Sequence, residues 1–164
     1  MEIDMNDIIV TREMLIADRA CDPAMEAFDE ASPNGSATLQ EIVEHQLCQP
    51  KWLGWLTVNA SFLTADIGME LIQRSDNPGY YYADAAVWAD WVTAETGPTL
   101  IQHSSCPKNY YGECAALSHW VTAETGPDMI AKSSAPKYYA RRAIFYAKWM
   151  TPEIKAELIA KYGL

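Results

Sequence analysis

The sequence predicts an all-α protein, a short α-solenoid of helix–turn–helix repeats behind an N-terminal helical cap, and three observations predict it. The octapeptide WVTAETGP at positions 91–98 recurs unchanged at 120–127, a period of 29 residues, and fixed periods of ~20–50 residues mark stacked supersecondary units. Within each unit, threonines and acids stand where helices need N-terminal caps, ahead of apolar residues at helical spacing. The alternation of apolar and polar residues expected of strands is convincing nowhere.

Element by element, Thr11 is expected to cap a helix from Arg12 to Ala20, and Asp22-Pro23 to open a second helix to about Ala31. Ser32-Pro33-Asn34-Gly35 is a strong turn, which closes the cap at residues 1–34. Thr38 and Glu41 have the spacing of a capping box, starting the first helix of a worn repeat at 35–63. Clearer copies follow at 64–92, 93–121 and 122–150, with a half-unit at 151–164, and Thr64, Thr93, Thr122 and Thr151 fall in register without insertion or deletion. The first helix of each unit is expected to stop at Ser75, Ser104 or Ser133, before a turn holding Pro78, Pro107 or Pro136. In the second helix, Tyr81, Ala85, Trp88 and Val92 make the stripe of a buried face. Gly97-Pro98 and Gly126-Pro127 lie where a helix begun at Thr93 or Thr122 would already be running, so those helices are expected to start late, capped by Thr96 or Thr125.

At 164 residues and 18.3 kDa the chain suits one continuous domain, 35–164 being a single array on the cap. Four cysteines, Cys21, Cys48, Cys106 and Cys114, are too few for a disulfide scaffold, which predicts a reducing compartment. No apolar run approaches the ~18–20 residues of a membrane span, and the acidic start is unlike a signal peptide. The expectation is a soluble, cytoplasmic protein without membrane partners.

The run Val10-Thr11-Arg12-Glu13-Met14-Leu15, then Ala20-Cys21, Phe28, Pro33-Asn34-Gly35, Thr38, Trp52 and Trp55-Leu56 covers about the first third of the chain. It resembles a pattern in small phage and prophage proteins, which open with a TREML-like helix, an Ala-Cys pair, a phenylalanine before a Pro-x-Gly turn and a tryptophan-rich helix. The resemblance implies a mobile-element origin, and hence the cytoplasm of a host cell. It implies no reaction, and the repeats lie outside it.

Several constellations bear on chemistry. His103, Cys106, Cys114 and His119 are residue types that suit zinc, yet they lack tight paired spacing, and Cys114 and His119, five apart on one helix, diverge. Cys106 with His103 is the one close thiol–imidazole pair, without a third orienting group. Asp66 and Glu70, four apart, read as helix-capping and solvating acids rather than an acid–base pair. The aromatics at Tyr81, Tyr110 and Tyr139 and at Trp91, Trp120 and Trp149 recur at fixed repeat positions, which predicts a shared core rather than a stacking platform for nucleic acid. No catalytic residue, metal ligand or cofactor is assigned.

Charge carries the functional expectation. The net charge is −10, and residues 1–50 hold 11 acids against 2 bases while residues 101–150 hold 3 acids against 6 bases. Two repeat positions vary from acid to base along the chain: Asp84, Glu113 and Arg142 at one, Asp90, His119 and Lys148 at the other. Such a surface repels phosphate and anionic lipid and attracts a basic protein. The expected function is therefore a non-catalytic protein-binding module, phage-encoded, that inhibits a host nucleic-acid-handling or defence protein by occupying its basic surface. A CRISPR effector is the concrete partner, with no direct nucleic-acid binding. Glu41, Glu44, Asp66, Asp84, Asp90 and Glu113 are the candidate contact residues. Two alternatives stay open: a metal-dependent or cysteine enzyme built on His103 to His119, and a virion assembly protein.

Overall fold

The computed structural model describes residues 4–164, which fall into two compact units, one ending at Tyr81 and one spanning Tyr82–Leu164. Among the described residues the secondary structure is helical apart from one two-stranded ribbon. The first unit holds a 3-10 turn (Met5–Asp7), β1 (Ile9–Thr11), α1 (Arg12–Ala17), α2 (Asp22–Ala31), β2 (Ser36–Thr38), α3 (Leu39–Glu44), α4 (Pro50–Asn59), α5 (Ala65–Arg74) and the start of α6 (Pro78–Trp88).

Local chemistry sets these boundaries. The Thr11 hydroxyl accepts from the Met14 amide at 3.3 Å and caps α1. The helix stops at Ala17, three residues short of the expected end, because the chain closes into a Schellman turn. The Ala20 amide donates to the Leu15 carbonyl at 2.9 Å and the Arg19 amide to Ile16 at 3.0 Å, with Arg19 at φ 64°. Helix α2 runs as expected from Asp22 to Ala31. The capping box of α3 is complete: Thr38 Oγ1 accepts from the Glu41 amide at 3.1 Å, and Glu41 Oε2 from the Thr38 amide at 2.8 Å. Leu39, Leu71, Ile72 and Val10, all fully buried, belong to this unit's core.

The ribbon corrects the strand-free expectation. β1 and β2 pair antiparallel with Ile9 opposite Thr38 and Thr11 opposite Ser36. Each strand is three residues long, too short to show alternation, and each ends in the threonine that caps the next helix. Gly35, at φ 76° in the intervening turn, takes the left-handed conformation that its missing side chain permits.

The second unit contains the rest of α6, then α7 (Gly97–His103), α8 (Pro107–Leu117), α9 (Gly126–Lys132), α10 (Pro136–Tyr146) and α11 (Pro152–Tyr162). Its contacts recur 29 residues apart. Trp120 Nε1 donates to the Ala86 carbonyl at 2.7 Å, and Trp149 Nε1 to the Ala115 carbonyl at 2.8 Å. The Trp120 indole lies against Gly97, and that of Trp149 against Gly126. Ser104 and Ser133 each end a helix, their hydroxyls donating to the Ile101 and Ile130 carbonyls at 2.6 Å. Trp91, Trp120 and Trp149 are buried, as their fixed repeat positions predict, and buried alanines at 85, 86, 115, 116, 140 and 143 let the helices approach closely.

Two expectations for this unit are corrected. The helices do begin at Gly97 and Gly126, but Thr96 and Thr125 do not cap them. Both already have helical backbone angles, which aim their hydroxyls backwards, where they accept from the Thr93 amide at 2.9 Å and the Thr122 amide at 3.1 Å. The expected stripe is also broken: Ala85 and Val92 are buried, but Trp88 is 57% exposed. Helix α6 ends at Trp88, so Val92 is not on its continuation, and the buried face runs instead through Tyr82, Ala83, Ala86 and Val87.

Candidate functional site

The most chemically distinctive surface of the second unit is a groove of about 400 Å³. Helix α6 contributes Asp84 and Trp88, four residues apart and so on one face. Helix α8 contributes Tyr110 and Glu113, and Cys106 lines the groove just before that helix starts. The Tyr139 ring of α10 also borders it and packs against Gly112, whose lack of a side chain admits the ring. The bend before α10 is braced, Ser134 donating to Asn109 Oδ1 at 2.6 Å and its amide to the Lys108 carbonyl at 3.0 Å.

Negative charge and aromatic surface meet here. Burial pushes the Tyr110 phenol above its ordinary value, and the charges of Asp84, Cys106 and Glu113 add to the shift. Glu113 is held from α10: Arg142 Nη1 donates to its two carboxylate oxygens at 2.6 and 2.5 Å. The Arg142 guanidinium also lies 5.8 Å from the Tyr138 ring centre. Burial opposes the Arg142 cation, but the charge and hydrogen bond of Glu113, with Tyr138, outweigh it and leave the guanidinium above its ordinary value. Asp84, at the same repeat position one period earlier, makes no ion pair among the described residues. Such a groove is suited to recognising a cation through carboxylates and an aromatic face.

The candidate contact residues therefore divide. Asp84 and Glu113 line the groove, and Asp90 is exposed beyond the end of α6 and does not. Glu41, Glu44 and Asp66 are exposed in the first unit. There Glu41 completes the capping box, Glu44 accepts from Gln40 Nε2, and Asp66 sits in the first turn of α5.

The constellation from His103 to His119 is dispersed. His103 closes α7, with Nδ1 2.8 Å from the Thr99 carbonyl and its ring 5.4 Å from that of Tyr82. Cys106 and His119 are exposed. Cys114 is buried inside α8, and burial pushes its thiol up to about 12, with the Ser118 hydrogen bond working against the shift and the Glu113 charge adding to it. Among the described residues no three His, Cys, Asp or Glu side chains gather as metal ligands would.

Sequence reasoning missed Trp88, assigning it to the buried stripe. A signal was present: its repeat position holds Leu117 and Tyr146 in later copies, unlike the invariant core tryptophans. A separate, mainly apolar cleft of about 60 Å³ lies in the first unit among Leu15, Phe28, Ile42, His45, Cys48 and Trp52, and burial raises the Cys48 thiol. No helix among the described residues is long and apolar enough to cross a membrane. In comparisons with known proteins, no family model, no curated protein and no solved structure matches this chain.

Proposed function

We propose that this chain is a non-catalytic, acidic protein-binding module, a short α-solenoid of 29-residue units, that engages a basic surface on a partner protein. One observation carries the reading. Asp84 and Glu113, which occupy the same variable repeat position, line a single groove beside the exposed Trp88. Core positions repeat because packing dictates them, whereas a variable position that reaches an open groove is free to serve recognition. The contacts of Trp120 and Trp149, alike at 29-residue spacing, support the stacked-unit part of the proposal.

The resemblance of the first third to phage proteins supports a phage origin, and the acidic charge supports a partner built to hold phosphate. The partner class is a host nucleic-acid-handling defence protein such as a CRISPR effector, blocked where its basic surface would otherwise meet nucleic acid.

The test is binding and inhibition with purified CRISPR effectors at low and high salt. The expected result is a complex whose association rate falls steeply with salt, and a further fall of about tenfold or more in the Glu41→Lys, Glu44→Lys, Asp66→Lys triple variant, folding being checked by circular dichroism. An unchanged rate in that variant, with binding abolished by Arg141→Glu and Lys148→Glu, two exposed bases that do not line the groove, would shift the function to the basic end of the chain.

A further inference from the structure

One period beyond the groove, the sequence repeat pairs a carboxylate with a guanidinium. At the shared position, α8 and α10 present Glu113 and Arg142, and the two meet, with the guanidinium bonded to the carboxylate and set beside Tyr138. One period earlier the same position presents Asp84 and Glu113, so the arginine of the later pair is replaced by a second acid. Of the three charges at these positions two are carboxylates and one is a guanidinium, which leaves one negative charge unbalanced. Glu113 is already oriented by Arg142 but, as a carboxylate, retains lone pairs for another donor. Trp88 stands at the groove 57% exposed, in a chain whose repeat-position tryptophans are buried.

We infer that this groove receives an arginine side chain projected by the partner protein, its guanidinium set between Asp84 and Glu113 and its plane against the Trp88 indole. The inference rests on the basic-partner reading and deepens it. Arginine is favoured over lysine by the same physics that seats Arg142. A planar fork of donors matches carboxylates, stacks on aromatic faces, and is more weakly hydrated than an ammonium group. The groove volume of about 400 Å³ lies in the usual range, ~300–1,000 Å³, of sites that bury a small ligand group.

The experiment is calorimetric titration of the full chain with a short blocked peptide of alternating arginine and glycine, with its lysine counterpart, and with free arginine amide. The expected result is binding of the arginine peptide at least tenfold tighter than the lysine peptide, and weak competition by arginine amide. Asp84→Asn and Trp88→Ala should each weaken the arginine peptide about tenfold, whereas Glu95→Gln, an exposed acid outside the groove, should not. Trp88 is exposed, so its variant is expected to fold, and circular dichroism verifies both. Equal affinity for the two peptides, with Asp84→Asn indistinguishable from Glu95→Gln, would overturn the arginine site and leave a general attraction to basic proteins standing. Binding of neither peptide at low salt would overturn both. Arginine amide binding as tightly as the peptide would make the groove a small-molecule site and overturn the protein occupant.

Discussion

Replacing Gly126 by alanine tests the packing that builds the second unit. In a helix interior alanine is favoured over glycine by about 1 kcal/mol, and at the first position of α9 by less, so propensity alone expects a small stabilisation. The structure reverses the sign. A Cβ at Gly126 would stand 2.5 Å from Trp149 Cε2 and closer still to Cζ2, where ordinary contact begins at 3.4 Å. The indole cannot simply retreat, because its Nε1 is committed to the Ala115 carbonyl at 2.8 Å. Overpacking of this kind costs about 1–3 kcal/mol, and a hydrogen bond lost as the ring shifts costs about 0.5–1.5 kcal/mol more. Against the propensity gain, the net expectation is a loss of about 1–3 kcal/mol, and a chain of this size loses roughly 2–4 °C of melting temperature per kcal/mol. Urea and thermal unfolding followed by circular dichroism would measure it. Trp149→Phe removes the ring atoms that collide, so Gly126→Ala should cost less in that background than in the wild type. Gly97→Ala, facing Trp120 at the same 2.5 Å, should behave alike. A Gly126→Ala protein as stable as the wild type, or more so, would refute the close glycine–indole contact.

Further outcomes follow from the titratable groups. A brief iodoacetamide pulse at neutral pH should label exposed Cys21 and Cys106, whereas Cys114, its thiol pushed up to about 12 by burial, should react only after unfolding; peptide mapping that finds native Cys114 alkylated would contradict its burial. Glu13 and Glu153 sit in first helical turns, where backbone amides and then the Thr11 and Thr151 side chains lower their carboxyl values. Folding depresses these values, so their contribution to stability should be complete above the ordinary glutamate value and vanish as pH falls through the lower folded ones. An NMR titration placing either midpoint at or above the ordinary value would refute that assignment.

What the sequence determined is largely what acts within a few residues. The capping box of Thr38 and Glu41, the turn at Gly35 and the extent of α2 depend on backbone groups and side chains at most four apart, and each is legible from residue types and spacing. The 29-residue sequence period added a longer-range expectation that holds, the burial of Trp91, Trp120 and Trp149, because residues that recur at fixed sequence positions are expected to pack alike. It also singled out Asp84 and Glu113 as positions free to vary. Tertiary structure decided the rest. Whether Trp88 is core or surface depends on where α6 ends relative to its neighbours, and Thr96 and Thr125 gave up capping because their backbones were already helical. The pairing of Arg142 with Glu113 and the opening of a groove beside Asp84 arise from helices brought together by contacts 29 and 34 residues apart in the chain. Sequence periodicity predicts which side chains hold equivalent places; only the distance and angle between packed helices determine whether those places touch, and whether a cation fits between them.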